Sequence, residues 1–309
     1  MRQLLQSTAA YRIFSGDARS DRASHAYMLY FQDGANLRFA LKYFALRLFG
    51  TDESRREGSL IMAENFADVK VFPAEGKRPS VTDADEIVAD SALRPLESDK
   101  KLYIFTDFDQ ASPIVQNKLL KVLEEPPAGV HFLLGATSLS PVLPTIMSRV
   151  KLLEIEPFPR SAILAALNRL GGDSAVNAEA AAACSGIFGQ AVAMVSGGWF
   201  KEVLSAARDF CSADTLGKAG EVSLKYADIK QKGELLRLIQ SIYYSWLSQC
   251  LSPGDICRSD LTRPALLYAV EAVNRALEDY KFNANFSALL FDLAAGIITE
   301  NDKWKKLLE

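Results

Sequence analysis

The chain has 309 residues, of which 49% are hydrophobic and 24% charged, and its formal net charge is -3. This length predicts two or three domains, and the composition is typical of a soluble globular protein. The acidic balance argues against wholesale wrapping of nucleic acid, since non-specific DNA affinity comes from cations that neutralise phosphates.

Cysteine usage and apolar segments predict a cytoplasmic protein. The first of the four cysteines is Cys184, and no two of them are spaced as CxxC. Reduced thiols are therefore expected, without a disulfide framework or a metal site. The N-terminus lacks the apolar core of a secretory signal, and no window approaches the ~20 apolar residues of a membrane span.

Residues 1–156 alternate strand-like and helix-like segments. Apolar runs at 26–31, 101–108 and 130–137 predict buried strands, and the alternating run at 67–72 predicts a further strand. Because helix-like segments separate these runs, we expect a parallel sheet that is covered on both faces.

Two helices stand out in this region. Asn36 is predicted to cap the first, whose apolar residues recur at helical spacing from Leu37 to Leu48. The second covers 116–124 and must end before Pro126-Pro127.

The rest of the chain is predicted to be helical. Residues 157–200 contain three short helices, with breaks at Gly186 and Gly189. From residue 201 onward, long helices with apolar faces predict a helical bundle.

The loop after the first strand departs from a phosphate-binding loop. Set against GxxxxGK[ST], Phe31 and Asn36 replace the glycines, Leu37 replaces the lysine and Arg38 replaces the hydroxyl residue. Only Gly34 and the strand–loop–helix order remain. The residues that would cradle phosphate, neutralise its charge and hold magnesium are all missing.

The strand at 101–108 leads into two aspartates. If the strand continued, Asp107 and Asp109 would face the same side and permit a metal site. A pair of capping or loop-lining aspartates is the alternative, and the missing phosphate loop favours it.

The stretch LPTIMSRV, residues 143–150, ends near Arg149. A basic side chain in the last turn of a helix offsets the partial negative charge there. The alternative is an arginine directed at a group outside this chain.

The segment NKLLKVLEEPPAGVHFLLGATSLSPVLPTIMSRV, residues 117–150, resembles the core signature of the bacterial clamp-loader family of the AAA+ class. Residues 24–29, 66–77, 186–194 and 282–290 also resemble segments of that family. The resemblance implies an AAA+-like α/β parallel-sheet domain with a degenerate phosphate loop over residues 1–156.

A small helical lid at 157–200 and an all-α collar domain for oligomerisation at 201–309 are also implied. Active members keep an intact phosphate loop and an arginine in the lid helix, whereas this chain has Leu37 and a glycine, Gly189. It therefore resembles the non-hydrolysing, delta-prime-type subunits of bacterial DNA polymerase III.

In such subunits an S-R-C motif presents an arginine to ATP held by the neighbouring subunit. Ser148-Arg149-Val150 keeps the serine and the arginine, so Arg149 is expected to be a trans-acting arginine finger that Ser148 supports. We expect the Arg149 side chain to be solvent-exposed in the free subunit. A divergent ATPase that binds ATP through an altered loop is the alternative function.

The resemblance also implies partners. These are gamma/tau-like ATPase subunits, a delta-like subunit, the sliding clamp and primer-template DNA, within a cytoplasmic, nucleoid-associated replisome. ATP and magnesium would be bound by a partner subunit and no cofactor by this chain. Lys118 and Lys121 are candidates to face DNA, with a solvated helix face as the alternative. Many relatives carry four zinc-binding cysteines, but residues 51–67 contain none, so zinc is not expected.

Overall fold

The computed structural model describes residues 1–20, 23–248, 260–282 and 285–308. The chain divides into two compact units, which are described separately. The first contains Met1–Arg169 and Gly186–Gln190, and the second contains Leu170–Ser185 and the chain from Ala191 onward. The predicted 157–200 region is thus shared between the two units, and the division into three domains remains a prediction.

The first unit is built on a five-stranded parallel sheet with the strand order β2-β3-β4-β1-β5. The strands are β1 (Ala26–Phe31), β2 (Val69–Phe72), β3 (Lys101–Phe105), β4 (Val130–Ala136) and β5 (Lys151–Ile155).

Four of these strands confirm the sequence prediction, with ends that differ by up to three residues. The fifth strand was not predicted. In β5 only Leu153 and Ile155 are buried, because the strand lies at the edge of the sheet and pairs with β1 alone. A strand of five residues with only two buried positions gives a weak sequence signal for β-structure.

In the described part of the first unit, eight α-helices surround this sheet. They are α1 (Arg2–Ser7), α2 (Ala9–Arg19), α3 (Gly34–Leu48), α4 (Arg56–Met62), α5 (Val81–Ser91), α6 (Pro113–Glu124), α7 (Pro144–Met147) and α8 (Arg160–Leu170). Ser112 caps α6 with Pro113 in its first turn, and the helix ends before Pro126 as predicted. The prediction that Asn36 caps α3 is wrong, since the helix begins at Gly34 with Asp33 at the cap position.

The two faces of the sheet are covered by different helices. One face packs with α5, α6 and α7 around large buried side chains that include Tyr103, Phe105 and Phe132. On the opposite face, Gly135 of β4 lies against the side chains of Leu37 and Leu41 from α3. Burial of side chains of this size is the main favourable term in folding. The predicted α/β domain, with a parallel sheet covered on both faces, is confirmed.

The second unit is helical in its described residues. Its elements are α9 (Ser174–Ala183), most of α10 (Phe188–Ser196), α11 (Phe200–Cys211), α12 (Leu216–Lys225), α13 (Lys232–Leu247), α14 (Arg263–Tyr280) and α15 (Phe286–Leu308). Helix α14 packs against both α13 and α15. Beyond Ile155, the described residues form no strand apart from a single β-bridge residue at Thr262, which confirms the predicted helical bundle.

Two details of the predicted helices differ. Gly189 lies inside α10 and does not break it; the break falls at Cys184–Ile187. The predicted helical segment at 282–290 lies partly outside the described residues, at positions 283 and 284, and its helix begins at Phe286. Over the described ranges, no helix is both long and apolar enough to cross a membrane.

Candidate functional site

The loop after β1 is occupied by a buried carboxylate. Asp33 is 2% exposed, and its Oδ2 accepts a hydrogen bond from the backbone N–H of Gly189 at 2.7 Å and from Nδ2 of Asn36 at 2.8 Å. The positive end of the α3 dipole favours a negative charge at this position. An acidic side chain therefore lies at the helix terminus where a phosphate-binding loop would hold phosphate.

Gly189 is held tightly against this loop. A Cβ atom built on Gly189 would lie 2.3 Å from Oδ1 of Asp33 and 3.0 Å from the side chains of Ala35 and Asn36. Only a residue without a side chain allows this close approach. The region where the resemblance would place a lid arginine instead packs directly onto the degenerate loop.

Two other loop positions are part of the apolar core. Leu37 is 1% exposed and lies beside Gly135, and Phe31 is 3% exposed and makes an edge-to-face contact with Phe158 at 6.0 Å between ring centres. Gly34 lies close to Thr137, whose Cγ2 would be 3.3 Å from a Cβ there. Two of the positions that would serve phosphate in an intact loop, Phe31 and Leu37, are thus part of the apolar core.

The side chain of Arg38, the last position of the degenerate motif, is engaged with residues outside the loop. Its guanidinium pairs with Glu64, with Nε 2.7 Å from Oε1, and donates to the carbonyl of Pro73 at 2.8 Å. Lys42, one turn later in α3, also reaches Glu64 at 2.8 Å. Hydrogen bonds from Arg38 outweigh the effect of burial and, with Lys42, lower the pKa of Glu64 to about 2.

The strand β3 does not continue through the two aspartates that follow it. The strand ends at Phe105, Asp107 adopts a left-handed conformation with φ 51, and Asp109 lies in a short 3₁₀ turn. Asp109 accepts hydrogen bonds from Thr137 Oγ1 at 2.8 Å and from the N–H of Ser138 at 3.1 Å. Asp109 thus lines the loop, as in the alternative interpretation. The described residues contain no group of three or more His, Cys, Asp or Glu side chains that could hold a metal ion.

Arg149 follows the short helix α7 and folds back onto it. Its Nη1 donates to the carbonyl of Thr145 at 2.9 Å and to Ser148 Oγ at 3.2 Å, while Nη2 pairs with Glu124 at 3.1 Å. The side chain is 29% exposed, so the prediction of a solvent-exposed guanidinium is wrong. The physical reason is Glu124, the last residue of α6, whose carboxylate pairs with the guanidinium.

The segment before Arg149 is anchored by a buried amide that the sequence prediction missed. Gln116 is 0% exposed and donates from Nε2 to the carbonyls of Ala111 and Pro141, at 3.0 and 3.1 Å. Its Oε1 accepts from the N–H of Leu143 at 2.9 Å. The available signal was a glutamine three residues before Leu119, on the apolar face of α6.

The two lysines considered for DNA have different surroundings. Lys118 forms an ion pair with Asp85 on α5. Lys121, one turn later, is exposed and has no ion pair with any carboxylate in the described ranges. Neither observation tests contact with DNA, which stays a prediction.

Comparisons of the sequence with known proteins identify subunits of DNA polymerase III. Residues 6–159, about half of the chain, match the family described as DNA polymerase III, delta subunit. The chain is 30% identical over 159 residues to DNA polymerase III subunit delta' of Bacillus subtilis, which covers 49% of this chain and 48% of that protein. It is 29% identical over 106 residues to DNA polymerase III subunit gamma of Buchnera aphidicola, which covers 34% and 28% of the two chains.

The chain therefore spans about half or less of the length of these curated relatives. Among solved structures, a DNA polymerase III gamma subunit-related protein from Thermotoga maritima is similar at 16% identity, covering 93% of this chain and 98% of that one with a TM-score of 0.49. The clamp loader delta protein of Bacillus subtilis is similar at 10% identity, covering 94% and 99% with a TM-score of 0.36.

Proposed function

Because the chain belongs to the delta-prime-like family of DNA polymerase III clamp-loader subunits, we propose that it is a non-hydrolysing stator that supplies Arg149 to ATP on a neighbouring subunit. It acts during loading of the sliding clamp on primed DNA, together with gamma/tau-like ATPase subunits and a delta-like subunit. This activity is located in the cytoplasmic replisome.

The observation that carries this proposal is the contrast between the degenerate loop after β1 and the arginine that follows α7. The chain's own phosphate position is taken by Asp33 and Gly189, and Leu37 offers no charge there. Arg149 nevertheless keeps a guanidinium at the end of α7, on a segment that Gln116 fixes. A planar, permanently charged fork suits phosphate oxygens.

The ion pair with Glu124 is weak enough to be exchanged. Glu124 is 58% exposed, and surface ion pairs contribute about 0–1 kcal/mol. The polyphosphate of a neighbour's ATP carries more negative charge than one carboxylate. Ser148 supports the arrangement because its hydroxyl donates to the carbonyl of Thr145 at 3.0 Å and lies 3.2 Å from Nη1 of Arg149.

The test is Arg149→Ala in the complex reconstituted with its ATPase and delta-like subunits. Trans-acting arginine fingers are worth roughly 10³–10⁵ in rate in related phosphoryl-transfer systems, so hydrolysis at the bordering site should fall by about 10³-fold or more. Arg149→Lys should restore only part of it, since an ammonium cannot form the bidentate contact. The measurement is ATP turnover stimulated by clamp and primed DNA.

Arg56→Ala is the matched control, because Arg56 also pairs with one surface glutamate, Glu97 at 3.0 Å, but lies in α4. Both variants should assemble like wild type, because each removes one arginine whose glutamate partner lies at the surface. Wild-type turnover by an assembled Arg149→Ala complex, at a site shown to border this subunit, would leave only the helix-terminus role for Arg149.

A further inference from the structure

A small cavity between α2 and the end of α3 is lined by cations without carboxylates. It has a volume of 240 Å³, and three arginines line it: Arg12, Arg19 and Arg47. The adjoining cavity, which Arg47 also lines, includes Asp52 and Glu53 in its lining. For a chain with a net charge of -3, a cavity with three positive charges and no negative charge calls for an explanation.

None of the three arginines forms an ion pair with a carboxylate in the described ranges. Arg12 and Arg19 lie seven residues apart on α2 with Gly16 between them, so these three positions share one face of the helix. Arg47 lies in the last turn of α3 and places its guanidinium 5.9 Å from the centre of the Tyr11 ring.

Two buried donors of the same cavity also have no acceptor. The Nε atom of Arg47 and the hydroxyl of Ser15 are both buried and make no hydrogen bond. Leaving a buried donor unsatisfied is unfavourable, so such groups are rare unless a ligand or water completes them. The cavity thus combines charge and hydrogen-bond donors in one place.

A position at a helix end explains only part of this arrangement. Cations in the last turn offset the partial charge of the helix terminus, which applies to Arg19 and Arg47. Arg12 is the fourth residue of α2, near the end where a positive charge is unfavourable. The helix dipole also does not account for the two buried donors.

We propose that this cavity binds a phosphate group, with Arg12, Arg19, Arg47 and Ser15 as its donors. Arginine is suited to phosphate because its planar fork donates two parallel hydrogen bonds. The volume, several times the ~30 Å³ of a water molecule, accommodates one phosphate group. The site uses neither Arg149 nor the degenerate loop, so it stands independently of the proposed function.

Gly16 provides a direct test, because it lines the cavity and an added Cβ would meet nothing within 4 Å. Gly16→Glu places a carboxylate of the chain itself in the site, and Gly16→Gln is a control of equal size without charge. Glutamate and glutamine both have a higher helix propensity than glycine, so α2 should be retained in both variants. Circular dichroism and the urea midpoint check the fold.

The probe is inorganic phosphate, titrated calorimetrically into the full chain at low ionic strength. We expect one saturable site in wild type, binding at least 10-fold weaker in Gly16→Glu, and a loss of no more than about 3-fold in Gly16→Gln. The double variant Arg12→Gln/Arg19→Gln should also lose at least 10-fold. Absence of saturable binding to wild type, or equal binding by all variants, would overturn the proposal.

A second arm distinguishes a free phosphate from the phosphate of a nucleic-acid backbone. Primed DNA is titrated against wild type, Gly16→Glu and Gly16→Gln, and binding is followed by fluorescence anisotropy over a range of salt. If Gly16→Glu weakens DNA binding and flattens its salt dependence relative to Gly16→Gln, the backbone is the source. If only inorganic phosphate responds, the ligand is a small anion.

Discussion

At the scale of single residues, the closest approach in the degenerate site joins Asp33 and Gly189. The carboxylate accepts the N–H of Gly189, and no side chain fits on that residue without displacing Asp33. In an intact phosphate loop the same helix terminus would receive an anion from outside. Here the carboxylate of Asp33 supplies the negative charge at the helix terminus. Its contact with Gly189 therefore stabilises the loop and leaves no room for an external anion at that position.

This contact predicts the effect of one added methyl group. Gly189→Ala should destabilise the protein by about 1–3 kcal/mol, because the new Cβ overlaps Asp33 and neighbouring side chains. Gly217→Ala is the matched control, since Gly217 also occupies the second position of its helix but faces open space. That change should stabilise the protein by up to about 1 kcal/mol. Urea unfolding measures both, and equal midpoints would contradict the prediction.

At the scale of elements, ion pairs with the carboxylate of Glu64 connect α3 to the segment between α4 and β2. Arg38 and Lys42 lie one turn apart on α3 and both contact Glu64. Glu64 lies two residues after the end of α4, and its φ of 61 places its backbone in the left-handed region. The arginine that seemed to replace a phosphate-loop residue therefore stabilises the fold.

This ion-pair cluster predicts a pH-dependent contribution to stability. The pKa of Glu64 is lowered from 4.5 to about 2, so its contribution is fully present above about pH 5 and is lost as the pH falls towards 2. Glu64→Gln should cost roughly 1–2 kcal/mol at pH 7 and progressively less below pH 5.

Urea unfolding of wild type and Glu64→Gln between pH 2 and 7 measures this dependence. Glu86→Gln is the control: Glu86 is 52% exposed and pairs with Lys70 at 3.1 Å, so its loss should change stability by less than about 1 kcal/mol. A difference between wild type and Glu64→Gln that stays constant from pH 7 to pH 2 would be incompatible with the assigned role.

At the scale of the whole molecule, the sheet keeps the strand–loop–helix order of a phosphate-binding loop after β1, but Asp33 and Leu37 are buried there. We predict that the isolated chain does not bind Mg-ATP, because Leu37 cannot neutralise phosphate and Asp33 repels it. Titration calorimetry with Mg-ATP should detect no saturable binding. A micromolar dissociation constant would favour the alternative of a divergent ATPase.

Zinc content is a second property of the whole chain. Residues 51–67 contain no cysteine, and in this part of the chain the structure has the short helix α4. We predict that the purified protein contains no stoichiometric zinc. Elemental analysis tests this, and one zinc per chain would contradict it.

The sequence by itself determined the elements whose signals are local. Continuous apolar runs identified β1, β3 and β4. A strand that is buried on both faces has apolar residues at successive positions, so it is visible as an unbroken apolar run. Pro126-Pro127 set the end of α6, since proline cannot continue a helix. The missing lysine and glycines of the phosphate loop were equally visible, because a motif depends only on residue identity and spacing.

Only the tertiary structure decided which groups meet. Asp33 and Gly189 are 156 residues apart in sequence, and the local pattern instead suggested that Asn36 capped the helix. Arg149 was predicted to be exposed, but α6 brings Glu124 beside it. Helix and strand signals arise from neighbouring residues, whereas such polar partners are selected by the packing of distant elements. A side chain's role in this site therefore followed from its contacts in the folded chain.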